Sequence, residues 1–230
     1  MKHFEAPILD WNYATQHDWC CEHSLSQSPI DIETDTLETM MDTGKIQLTY
    51  SRTVDAIFDT GSAIQGIATG TANINNRFFN LQQFHFHTHS EHKVDGKTCD
   101  AELHFVHEAQ NGRLAVLGVF LVEGRHNETL QNLLDAINTN QSIHNVYLYD
   151  LLPRISDYYH YLGSLTTPPL TENVEWYVFK ETVEISHKQL QILRNYHANN
   201  CRHTQPLNGR KVLFKSFNNK KLTQKCLKKE

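Results

Sequence analysis

The sequence has no hydrophobic run long enough to cross a bilayer. The longest, Leu114 to Val122, reaches about half of the roughly 18–20 residues a helical span needs, and Gly118 interrupts it. Met1 to Trp19 hold no apolar stretch of the roughly 7–15 residues found in a signal peptide. The expected location is therefore cytoplasmic, or periplasmic or secreted if a signal peptide has been removed. Excess positive charge is also missing: the formal net charge is -5, which gives no global attraction to nucleic acid. The one basic cluster, Lys220 to Lys229, reads as a solvated C-terminal tail. The five cysteines (Cys20, Cys21, Cys99, Cys201, Cys226) fit neither a zinc ribbon nor a CxxC redox pair. Their odd number leaves at least one thiol unpaired. No internal repeat, low-complexity linker or composition shift marks a boundary, so residues 1–217 read as one domain and 218–230 as the tail.

What is present is an ordinary globular composition, 39% hydrophobic and 20% charged over 230 residues, with fifteen histidines. Strand-like segments dominate. Lys45 to Tyr50, Asn80 to His87, Ala101 to His107, Leu114 to Val122 and Val174 to Lys180 are rich in β-branched and aromatic residues with partial alternation. Helical periodicity is confined to Asn127 to Asn138, where Leu130, Leu133, Leu134 and Ile137 fall on one face, and to a segment opened by Ser186 as N-cap. The pattern predicts a mainly β (α+β) chain: a single domain on a large, mostly antiparallel twisted sheet with a few peripheral helices.

Imidazole is the commonest metal ligand and titrates near neutral pH, so the placement of the histidines matters. In Gln83-Phe84-His85-Phe86-His87, read as a strand, His85 and His87 share one face and the two phenylalanines the other. In Ala101 to His107, Glu102, His104 and Val106 share a face, so His104 meets the first pair if the strands are neighbours. An H-x-H pair alone is more often a pair of hydrogen-bonded or surface histidines. Here Gln83 and Glu102 stand two residues before His85 and His104, on the same faces, where a ligating histidine finds an acceptor for its second N–H. Three histidines with one open position is the arrangement of a catalytic zinc site.

The runs QFHFHTHSEHKVDG, AELHFVH, YLGSLTTPPL and VEWYVFK, together with SQSPIDI (Ser26 to Ile32) and TQPLNGR (Thr204 to Arg210), resemble the alpha carbonic anhydrases. The resemblance runs in register from about Trp11 to Phe217. It implies that fold, a Zn2+ cofactor, and reversible hydration of carbon dioxide to bicarbonate and a proton by attack of zinc-bound hydroxide. Its substrates would be carbon dioxide, bicarbonate and water, with no nucleic-acid partner; the sequence leaves the oligomeric state open. By the same resemblance His85, His87 and His104 are the metal ligands, and Gln83, Glu102 and the backbone carbonyl of Asn200 accept from His85, His104 and His87. Glu102 joins His92 and Tyr161 in a buried network. Thr166 orients the hydroxide and Glu91 orients Thr166, because a threonine whose only O–H is committed can offer its oxygen only as an acceptor. Thr167 contacts bicarbonate. Val106, Val116, Leu165 and Trp176 line the carbon dioxide pocket, although Val106 and Val116 taken on their own read as core.

Two departures from the family stand out. Many secreted members tie the N-terminal segment to the Thr-Thr-Pro-Pro loop by a disulfide; Cys21 holds the first position here and Leu170 the second, which points towards a reducing compartment. Ser62 stands where fast members carry a proton-shuttling histidine, so no shuttle is expected there. His89, and after it His3 or His17, are the substitutes the sequence offers. The rival reading is a catalytically weak carbonic-anhydrase-like binding module. Such modules characteristically lose a zinc histidine, and this chain keeps all three. A different zinc hydrolase is disfavoured, since no additional general base stands ready.

Overall fold

The computed structural model describes residues 11–19, 24–42, 45–154 and 157–217. Cys20, Cys21, Cys226, His3 and the tail lie outside them. In chain order the strands are β1 (Asp31–Ile32), β2 (Glu38–Thr39), β3 (Ile46–Asp59), β4 (Ile64–Ile74), β5 (Arg77–His87), β6 (Lys93–Val94) and β7 (Ala101–Ala109). They continue as β8 (Leu114–Glu123), β9 (Ile143–His144), β10 (Tyr158–Ser164), β11 (Glu172–Phe179), β12 (Val183–Ile185) and β13 (Leu213–Lys215), with helices α1 (Glu128–Asp135) and α2 (His187–Tyr196).

Among the described residues an 11-stranded sheet runs in the order β2-β13-β10-β11-β8-β7-β5-β4-β3-β9, with β12 also paired to β8. Most pairings are antiparallel, but β8 is parallel to both β11 and β12, and β2 is parallel to β13. The sheet is therefore mixed. Each expected strand lies in an observed one except for one terminal residue at Lys45 and at Lys180. β4, β10 and the short strands β1, β2, β6, β9, β12 and β13 are not among the segments expected to be strands, and β3 extends well past Tyr50. In β4 the sequence IQGIATGTANI is broken by glycines, but Gly66 is required there: a Cβ would fall 2.1 Å from the Phe84 ring tip.

Both helices start as the sequence proposed. The Asn127 side chain accepts from Leu130 N at 2.9 Å. Ser186 and Gln189 close a reciprocal capping box. Leu130, Leu133, Leu190 and Leu193 bury both helices against the sheet face that carries Phe84, Phe86, Leu103 and Phe105. A smaller apolar cluster on the other face comprises Ile30, Ile32, Val106, Val116, Val174 and Trp176 among others. His85, His87 and His104 belong to that second face.

Candidate metal centre

The pairing of β5 with β7 sets the site. His85 lies opposite His104 and His87 opposite Glu102, with a register shift between Leu81 and Gln83. The ring centroids stand 4.8 Å (His85 to His87), 5.1 Å (His85 to His104) and 4.6 Å (His87 to His104) apart. One nitrogen of each ring can serve as a ligand, all three lying within 4.8 Å of one another.

The other nitrogens are committed. His85 Nδ1–H donates to Gln83 Oε1 at 2.7 Å, His87 Nδ1–H to the Asn200 carbonyl at 2.6 Å, and His104 Nε2–H to Glu102 Oε1 at 2.9 Å. These acceptors fix the tautomers, leaving Nε2 of His85, Nε2 of His87 and Nδ1 of His104 with their lone pairs turned inward. Burial holds all three imidazoles below the usual histidine range, His87 at about 4. They are neutral at pH 7, the form that binds a cation. His87 Nε2 is buried without a hydrogen-bond partner, a position that a metal ion would satisfy.

Glu102 is fully buried and held from four directions. Its Oε2 accepts from the backbone N–H of Glu91 at 2.9 Å and of His92 at 2.8 Å, and its Oε1 lies 2.8 Å from His92 Nδ1 besides the His104 bond. Burial alone would raise its pKa, but His92 and His104 hold it well below the carboxylate range. Gly118 makes room for it: a Cβ there would stand 3.0 Å from Glu102 Oε1. The glycine that interrupts the apolar run of β8 thus serves the site. His92 Nε2 continues to the Tyr161 hydroxyl at 2.7 Å, which in turn lies 2.8 Å from Ser28 Oγ.

Glu91 Oε2 sits 3.6 Å from His87 Nε2 and 3.9 Å from His104 Nδ1. Burial raises its carboxyl to about 7, against the lowering effect of His104, of a hydrogen bond with the Thr166 side chain and of the Arg202 backbone N–H. Thr166 is buried and Thr167 half-buried. Trp176 packs edge-on to His104, with centroids 4.9 Å apart, and joins Val106, Val116 and Leu165 in one apolar wall. The sequence-predicted ligands, their acceptors, the Glu91–Thr166 pair and this wall thus meet around one point.

The family model for eukaryotic-type carbonic anhydrase matches residues 9–216. The chain belongs to this family. It is 36% identical over 203 residues to a carbonic anhydrase of Nostoc sp., covering 84% of this chain and 77% of that protein. Among solved structures it is similar to the alpha-carbonic anhydrase from Thermovibrio ammonificans in complex with sulfanilamide (TM-score 0.78, 38% identity, 84% of this chain and 88% of that one). The Chlamydomonas reinhardtii carbonic anhydrase Cah3 in complex with acetazolamide gives a TM-score of 0.79 at 31% identity over 90% of this chain and 99% of that one. Carbonic anhydrases interconvert carbon dioxide and bicarbonate and are generally zinc-dependent, and this chain is an enzyme of that family.

Sequence reasoning missed Arg202 and Ser28. The buried Arg202 donates from its backbone N–H to Glu91 Oε1 at 2.8 Å, while its side chain is tied at 2.7 Å to both Gln27 Oε1 and the Ser28 carbonyl. Its position two residues after Asn200 was the available signal. Of the substitutes for a shuttle at Ser62, His89 is exposed, and His17 is exposed beside Asp18 at 3.2 Å. The Ser62 hydroxyl lies 3.1 Å from Thr60 Oγ1. Beside Ser62 is a cavity of about 130 Å³ lined by Trp11, Tyr13, His197 and Asn200 among others, with His197 Nε2 2.6 Å from Asp59 Oδ1. His197 is an imidazole on the same cavity wall as Ser62 that the linear sequence does not bring to notice.

Proposed function

We infer that the chain holds one zinc ion on His85, His87 and His104 and hydrates carbon dioxide there. The observation that carries this reading is the convergence of three neutral imidazole nitrogens whose partner nitrogens are all anchored. A bound zinc ion supplies acidified water, and carbonic anhydrase is itself the standard example of that pKa falling to about 7.

The chain's own residues do the rest. Gln83, Asn200 and Glu102 keep the three rings in the tautomers that face inward, and the His92–Tyr161–Ser28 chain keeps Glu102 in place. Glu91 takes up the only O–H of Thr166, so the Thr166 oxygen can only accept a hydrogen bond from whatever nucleophile occupies the open position, and in doing so aims that nucleophile's lone pair. Val106, Val116, Leu165 and Trp176 offer carbon dioxide an apolar wall beside His104 and no polar group to bind water in its place. Thr167 then meets the bicarbonate product. Each turnover leaves a proton to export, and a serine hydroxyl at position 62 does not titrate near pH 7 as a histidine does.

Stopped-flow hydration on purified protein, with zinc measured on the same sample, tests the reading. The expected result is one zinc per chain and hydration that aromatic sulfonamides suppress. Protein that takes up no zinc on metal addition and hydrates carbon dioxide no faster than buffer would refute it.

A further inference from the structure

Outside the His85, His87 and His104 cluster, a cavity of about 560 Å³ is lined by Arg77, Arg113, Arg210, Lys211, Leu162 and Leu213 around the side chain of Glu175, with His160 and Tyr161 also on its wall. Glu175 is 2% exposed. It receives Arg77 Nη1 and Nη2 at 2.5 and 2.6 Å, Arg113 Nε, and the Tyr177 hydroxyl at 2.7 Å. One carboxylate therefore fixes two guanidinium groups and neutralises only one of them. Lys211 is offset by Glu38 at 2.7 Å. Arg210 spends its donors on the carbonyls of Leu207, Leu162, Gln27 and Pro206, with Glu172 as its nearby carboxylate. The excess charge thus sits on the Arg77–Arg113 pair. Among the described residues, the two Nη groups of Arg113 have no partner.

A pre-oriented guanidinium pair with spare N–H donors suits an oxyanion with several acceptor oxygens, and arginine matches phosphate geometry in a fork. The remainder of the wall is made by Leu162, Leu213 and the rings of His160 and Tyr161. Leu162 is 45% exposed, and His160 is stacked face to face on Tyr177 with centroids 4.5 Å apart. The cavity is larger than a bare oxyanion needs. We propose that it is a second ligand site, separate from the metal centre, that binds a phosphate monoester of a small organic molecule. The phosphate lies on Arg77 and Arg113, and the organic part rests on Leu162 and Leu213. The site does not depend on the chemistry at the histidines.

The test is calorimetric titration of the full chain with inorganic phosphate and with phenyl phosphate. It is run on sulfonamide-saturated metal-loaded protein and repeated on His104→Ala, so that an anion held at the histidines is not counted. Both ligands should saturate at one per chain in both samples, with phenyl phosphate about tenfold tighter from its buried ring. Arg113→Gln should weaken both about tenfold through the lost charge-assisted bonds, and Leu162→Ser should erase the preference for the phenyl ester. If Arg113→Gln melts early, Arg113→Lys keeps a cation beside Glu175 and removes the fork, and should weaken binding in the same direction. Absence of saturable binding, or unchanged affinity in a folded Arg113 variant, would overturn the site. Equal affinity for the two ligands would overturn the ester assignment.

Discussion

The two faces of β5 and β7 are made by the same residues taken alternately, yet they are held by different physics. On one face Phe84, Phe86, Leu103 and Phe105 pack into the larger core beneath the helices. On the other, His85, His87, Glu102 and His104 are bound to named acceptors and donors, and the inward-facing His87 Nε2 and the nearby Glu91 Oε2 are left buried without a hydrogen-bond partner. Apolar packing is non-directional and grades with area, so its loss should be felt as stability. The polar face is directional, and each deletion there removes a function that neighbours cannot supply.

The largest effect should come from His104→Ala, because two imidazoles make a poor tetrahedral site. The variant should lose most zinc and all but a trace of hydration; near-stoichiometric zinc with retained activity would unseat the ligand assignment. Thr166→Ala should keep the zinc and lower the hydration rate by about 10²-fold, since only orientation is lost. A zinc-free Thr166→Ala protein would show that Thr166 supports the metal rather than the nucleophile.

Phe84→Ala tests the opposite face. It should destabilise the fold by about 3–5 kcal/mol in denaturant titration, with hydration per folded molecule and zinc content little changed. A comparable loss of turnover at full zinc occupancy would mean that the two faces are not separable.

His107 sharpens the contrast, because it is a fully buried histidine on the core face, its Nε2 2.9 Å from the Tyr50 hydroxyl. Burial lowers its pKa to about 4. Since this lies below the ordinary value of about 6.5, the unfolded chain binds the extra proton between those values. The contribution is therefore fully present above pH 6.5 and is lost as the pH falls towards 4, on the order of 3 kcal/mol. Urea titrations of metal-free protein across that window should show a shallower pH slope in His107→Phe; an identical slope would assign the acid sensitivity elsewhere.

The smallest effect belongs to Ser62→His. It should raise turnover at low buffer and weaken its dependence on added imidazole-type buffer, leaving kcat/KM nearly unchanged. Wild-type turnover that is high and buffer-independent would indicate that another group, His197 first, already carries the proton.

Much of this contrast was legible beforehand. Period-2 alternation in QFHFH and AELHFVH separates the faces, and the short spacings Gln83 to His85 and Glu102 to His104 announce their acceptors. What alternation could not supply was anything resting on distant chain. The anchoring of Glu91 by Arg202 spans 111 positions. The need for Gly118 beneath Glu102 depends on which strand lies alongside β7. β4 is hard to read because Gly66 and Gly70 interrupt its run of larger residues, and Gly66 is where the Phe84 ring lies against the backbone.

Asn200 adds a dimension of time. Its amide nitrogen donates to the carbonyls of Ser62 and Phe86, its amide oxygen accepts from Thr88 N, and its backbone carbonyl takes the Nδ1 proton of His87. The ligand strands are complete by residue 109, but the group that fixes the His87 ring is made some ninety residues later. A chain still being synthesised therefore carries all three histidines well before it can hold them in ligating order. If the three histidines hold the proposed zinc ion, capture with full affinity would wait for the chain to reach Asn200.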